Sequence, residues 1–117
     1  MDKSGDIALG FSASSPTNFP SVRYTGRAAG DALGQMTQAE QVAYTGQGPQ
    51  TQAEGRWGDY SDITVDPTDD CTFYYTQQYL VPHAAQEAGI GTMVPVVGRW
   101  ATRIVSFKFP QCGKPKR

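Results

Sequence analysis

The chain has 117 residues, with ten Lys+Arg against eleven Asp+Glu, 38% hydrophobic and 18% charged residues, and thirteen Gly beside eight Pro. This near-neutral balance supplies no basic field for nucleic acid and no polybasic patch for a membrane surface. No apolar run approaches the roughly 18 residues of a membrane-spanning helix, and composition leaves one β-rich domain or part of a larger one.

Strand signals dominate the chain. Residues 5–12 set Ile7, Leu9 and Phe11 on one face at period two. A second strand is expected at 20–27 and a third at 41–46, before the break at Gly46. A fourth, 58–66, is stopped by Asp66-Pro67, and a fifth, 71–79, is rich in aromatic and β-branched residues. The sixth, 100–109, alternates again through Ile104, Val105 and Phe107. Helical patterns at 38–43 and 83–88 are too short to hold without packing. The Gly/Pro/Gln-rich stretch 46–52 divides the strands into two groups of three, giving units 1–52 and 53–117. Residues 82–98 read as a long loop, either a lid or an insertion.

The two units share a pattern. Set over one another, Asp2 meets Asp66 and Asp6 meets Asp70, and Ile7, Leu9 and Phe11 meet Cys71, Phe73 and Tyr75. Each copy is an Asp-led turn, a strand of the same phase, and then an Arg-containing strand around Arg23 or Arg103. With four strands a to d per unit, the order reads b-c-d and then a-b-c. That is the layout of successive β-propeller blades.

Specific residues resemble a family. Arg56-Trp57-Gly58-Asp59-Tyr60-Ser61, Asp70-Cys71-Thr72-Phe73 and Trp100-Ala101-Thr102-Arg103-Ile104 resemble the C-terminal blades of large secreted bacterial β-propellers of the sialidase-like, BNR-repeat type. Gly5-Asp6-Ile7-Ala8-Leu9-Gly10-Phe11-Ser12 and Tyr24-Thr25-Gly26-Arg27 look like the preceding blade. The resemblance implies an all-β fold of about two antiparallel blades. It also implies a secreted or cell-surface location, although the first residues have no signal-peptide layout. A propeller needs about four to eight blades, so the chain is expected to be a fragment of a larger one. Its partners would be the remaining blades or copies of itself.

Candidate site residues divide between structure and binding. Cys71 and Cys112 stand at neighbouring ends of an antiparallel hairpin, where a disulfide would fit; two buried free thiols are the alternative. In Trp57-Gly58-Asp59-Tyr60, Trp57 is read as packing between blades and Asp59 as capping turn amides. The functional reading puts Arg56, Trp57, Asp59, Tyr60 and Arg103 at a ligand-binding mouth. Phe73, Tyr74, Tyr75 and Tyr79 make an aromatic strand, for inter-blade packing or for stacking carbohydrate. Asp66, Asp69 and Asp70 gather carboxylates that suit calcium, but no long-range Glu completes such a loop and a hydrogen-bonded turn is expected. His83 has no second metal ligand nearby.

Arg56, Arg99, Arg103, Tyr60 and Asp59 are the residue types a sialidase uses. Two blades cannot surround a sugar, however, and the Asp-box spacing is not met at Asp2-Lys3-Ser4-Gly5. The expectation is a non-catalytic propeller segment, structural or binding, without a cofactor. A self-assembling, lectin-like carbohydrate binder and a glycoside hydrolase remnant stand behind it.

Overall fold

Alternation and aromatic content become six strands in a computed structural model that describes residues 1–51, 55–84 and 96–114. β1 (Ile7–Ser15) and β2 (Asn18–Arg27) form a hairpin, and β3 (Gln41–Tyr44) pairs with the far edge of β2. β4 (Asp62–Val65), β5 (Phe73–Ala84) and β6 (Val96–Phe107) make a second sheet in the same consecutive order. Every pairing is antiparallel, and no helix occurs among the described residues. The fold is therefore all-β, in two three-stranded sheets. The first sheet lies within residues 1–52 and the second within 53–117.

Several expected boundaries change. The first hairpin turns tightly at Pro16-Thr17, because Ser15 Oγ accepts from the Thr17 amide and the Asn18 side chain, each at 3.2 Å. The fourth strand is only Asp62–Val65 and the third stops at Tyr44. The expected loop at 82–98 is strand at both ends: Pro82 pairs with Gly98, His83 with Val97 and Ala84 with Val96. The long hairpin tolerates Pro82 and Gly98 as a facing pair, where the sequence pattern reads a break. Residues 85–95, and with them the question of a lid, lie outside the described residues.

The sheets stack through residues that leave room for rings. Gly10 faces the ring of Tyr75, and a Cβ added there would lie 2.3–2.7 Å from its ring atoms. Tyr24 stacks on Phe107 at 4.1 Å between centroids, and Tyr44 lies 3.9 Å from Tyr79. Val22, Phe73, Tyr75 and Leu80 are almost fully buried. Because side chains alternate across a strand, Ile7, Leu9 and Phe11 occupy the face of β1 turned away from the second sheet. Leu9 is 46% exposed there. Ile7 and Phe11 on either side of it are half-buried, so the most apolar stripe of β1 is only partly covered.

Backbone geometry repeats as well. In both Asp-led turns the leading carboxylate accepts from the amide two residues on, Ser4 to Asp2 Oδ1 at 2.9 Å and Thr68 to Asp66 Oδ1 at 2.8 Å. The first turn closes with the Asp2 amide on the Asp6 carbonyl, the second with the Asp66 amide on the Thr72 carbonyl. The second turn is thus two residues longer, and beyond it Ile7 corresponds to Phe73, Leu9 to Tyr75 and Phe11 to Gln77. The sequence alignment of Leu9 with Phe73 shifts by two, which keeps every side chain on the same face. Phe11 pairs with Arg23 and Gln77 with Arg103, so these two arginines hold equivalent places.

Candidate functional site

The 55–61 segment runs into β4 past the turn end of the first hairpin. Gly58 adopts φ +73°, a conformation that favours glycine, and its amide donates to Gln78 Oε1 at 2.7 Å. This anchor leaves Trp57 half-buried beside the hairpin tip. Trp57 shares a cleft of about 440 Å³ with Ser15, Thr17, Asn18, Phe19 and Gln50. Asp59 does not cap turn amides: its Oδ2 accepts from Arg56 Nε at 3.0 Å and from a second guanidinium nitrogen. With Arg56 65% exposed at its side chain, this ion pair is a surface one worth less than about 1 kcal/mol. Tyr60, next in the chain, is 81% exposed.

Arg103 does not join this group. It lies on β6, across β5 from the 55–61 segment, paired with Gln77. Its guanidinium sits 5.6 Å from the centre of the Tyr44 ring, which itself contacts Tyr79. The result is an aromatic and cationic stack between the sheets, a contact of about 0.5–1 kcal/mol where solvent reaches it. Burial raises the Tyr79 phenol above its ordinary value, Tyr44 adds to the rise, and Arg103 opposes it. Burial also raises the Tyr75 phenol, against a smaller lowering by Gln77. Of the aromatic strand, Phe73 and Tyr75 are core, whereas Tyr74 is 44% exposed on the opposite face.

Cys71 and Cys112 form a disulfide with 5.7 Å between Cα atoms, and no free cysteine remains. It ties the residues after β6 to the turn before β5. Lys3 joins the same corner through its amide on the Asp70 carbonyl, and its ammonium bonds the Asp69 carbonyl at 2.7 Å.

In the Asp66–Asp70 turn, the carboxylates serve the backbone. Asp66 Oδ1 accepts from the Thr68 amide and hydroxyl, and Asp69 accepts from the Cys71 and Thr72 amides and the Thr72 hydroxyl. Those bonds, the Thr72 amide first, hold the Asp69 carboxyl well below its ordinary 3.8, at about 2. Asp70 takes φ 53° at the turn's end and stays exposed. No group of three or more His, Cys, Asp or Glu side chains is placed to hold a metal among the described residues.

A second cleft, about 390 Å³, opens between the sheets beside Tyr24, Phe107 and Phe109, with Gln38, Gln41 and Lys108 at its margin. Sequence reading missed it, because its walls come from three separated segments and no local motif marks them. The chain matches no family model, no curated protein and no solved structure. No helix among the described residues is long and apolar enough to cross a membrane, and the disulfide is compatible with an extracellular location.

Proposed function

We propose that the chain is a non-catalytic, two-blade segment of a larger β-propeller, with a structural or binding role in a secreted bacterial protein. One observation carries this reading. The second sheet buries Phe73 and Tyr75 against the first, whereas of the equivalent residues of the first sheet Leu9 is exposed and Ile7 only half-buried. Arg23 stands on that partly covered face at the place where Arg103, in the second sheet, meets Tyr44. Successive units of a head-to-tail stack have this relation, in which each face of a unit meets the opposite face of its neighbour. Among the described residues β1 and β6 each keep one unpaired edge, which suits the same reading, since each blade then lacks one strand.

The remaining blades are the partners on this account. Arg56, Trp57, Asp59 and Tyr60 occupy a rim, with Arg103 behind it in the stack. The test is solution mass by size-exclusion chromatography with light scattering, on the non-reduced wild type and on Leu9→Lys. The reading expects concentration-dependent association that Leu9→Lys suppresses without loss of β-sheet circular dichroism. Association that Leu9→Lys leaves unchanged overturns it, whereas a wild-type monomer means that the missing blades are needed. A sharp species of three or four copies favours a self-closing ring instead, since propellers hold about four to eight blades.

The Trp57 cleft supports a second reading, a lectin-like carbohydrate binder. It sets one indole and one phenyl ring among hydroxyl and amide groups, the chemistry that stacks and hydrogen-bonds a sugar. Saturable quenching of tryptophan fluorescence by an oligosaccharide, lost in Trp57→Ala and kept in Trp100→Ala, is its test. A glycoside hydrolase remnant has less support, because Arg103 stands apart from Arg56, Asp59 and Tyr60.

A further inference from the structure

The first Asp-led turn differs from the second in where its carboxylates lie. Asp2 and Asp6 are each only 4% exposed. Asp2 Oδ1 accepts from the Ser4 amide at 2.9 Å and the Asp6 amide at 3.0 Å, and Asp6 Oδ1 accepts from the Ala29 amide at 2.8 Å. The other oxygen of each, Asp2 Oδ2 and Asp6 Oδ2, is buried with no hydrogen-bond partner. The Asp2 carboxylate is bonded to the backbone amide of Asp6, so the two side chains belong to one turn. The ion pairs among the described residues are Arg23–Glu40 and Arg56–Asp59, so neither aspartate has one. The nearest lysine in sequence, Lys3, turns its ammonium to the Asp69 carbonyl.

Two buried carboxylates with bare oxygens and no cationic side chain are costly to hold unless something neutralises them. We propose that the Asp2–Asp6 turn binds a hard divalent cation through Asp2 Oδ2 and Asp6 Oδ2, with calcium as the fitting probe. Oxygen donors of this kind, supplemented by carbonyls and water, are what calcium takes. Two carboxylates place the affinity in the range of extracellular modules, a Kd of about 10⁻⁴–10⁻³ M. The site does not depend on the propeller reading. It also reassigns the calcium chemistry between the two turns: Asp66 and Asp69 serve their own backbone, whereas Asp2 and Asp6 each keep an oxygen free.

The experiment is thermal unfolding of the full chain in calcium chloride against sodium chloride of equal ionic strength, with a calorimetric titration of calcium. Wild type is expected to bind one calcium and to gain about 5 °C in Tm at ten times Kd. Asp2→Asn and Asp6→Asn keep the Oδ1 acceptors and replace the bare oxygen by an amide nitrogen. Each is expected to lose the calcium response and to melt above wild type in chelator. Asp66→Asn is expected to keep the response. No heat and no Tm difference for wild type overturns the proposal, as does a response that survives Asp6→Asn or disappears in Asp66→Asn. If an Asn variant fails to fold, the wild-type titration still decides.

Discussion

Replacing Gly10 by alanine separates local propensity from the stacking of the two sheets. In an isolated strand the change stabilises, by roughly 0.5–1 kcal/mol, because alanine loses less backbone entropy on folding. Here the new Cβ would lie 2.3 Å from Tyr75 Cζ and 2.4 Å from Cε2, where carbon atoms rest at about 3.5–4.0 Å. Tyr75 is 3% exposed, so its ring has no solvent side to retreat to. Overpacking of this kind costs about 1–3 kcal/mol, and set against the propensity gain it leaves a net loss of about 1 kcal/mol at mid-range and up to about 2.5 kcal/mol. For a domain of this size that is about 4–10 °C in Tm. Urea unfolding followed by circular dichroism measures it, and the cycle Gly10→Ala, Tyr75→Leu and the double variant isolates the contact. The coupling should exceed about 1 kcal/mol, since the shorter side chain vacates the position of the clash. A Gly10→Ala chain as stable as wild type, or more so, would refute the stacking argument.

Opening the Cys71–Cys112 bond, which spans 41 residues, should lower stability by about 4 kcal/mol through loop entropy in the unfolded chain; unfolding with and without reductant measures this. Asp69 is held to about 2 against an ordinary 3.8, so its contribution is complete above the ordinary value and disappears as pH falls toward 2. Asp69→Asn should therefore flatten the fall of wild-type stability between about pH 5 and 2, as read from Tm against pH. Leu80→Ala, at a side chain with 0% exposure, should cost about 3 kcal/mol in the same urea assay. Truncating Tyr24 and Phe107 singly and together should give a coupling of about 1 kcal/mol for their stacked rings.

Strand identity was legible because period-two patterns and Gly/Pro breaks are local signals, and the cysteine pairing followed from a hairpin's neighbouring ends. The choice of buried face was not. Ile7, Leu9 and Phe11 form the apolar stripe of β1, yet the second sheet packs on the side of Gly10, where a missing side chain receives a ring. Alternation separates two faces without naming the neighbour of either. The β5–β6 hairpin runs further than expected because pairing between Val81–Ala84 and Val96–Arg99 overrides the Pro82 and Gly98 signals. Of the proposed rim, the Arg56–Asp59 ion pair was not read from the sequence, which took Asp59 as a cap for turn amides. Nor was the separation of Arg103, since it depends on β5 lying between β4 and β6. The burial of Asp2 and Asp6 had no sequence mark at all; at Asp6 it goes with the Ala28–Asp31 turn folding back to give the Ala29 amide to its carboxylate.

The most direct test of the head-to-tail stack is a nuclear Overhauser spectrum of the oxidised chain, read at the Tyr75 ring. The account predicts cross-peaks from that ring to the Gly10 α-protons, which its current shifts upfield, and none to Leu9 or Phe11. Cross-peaks from Tyr75 to Leu9 or Phe11 would mean that β1 buries its apolar face against the second sheet, and the partly covered face on which the propeller reading rests would not exist.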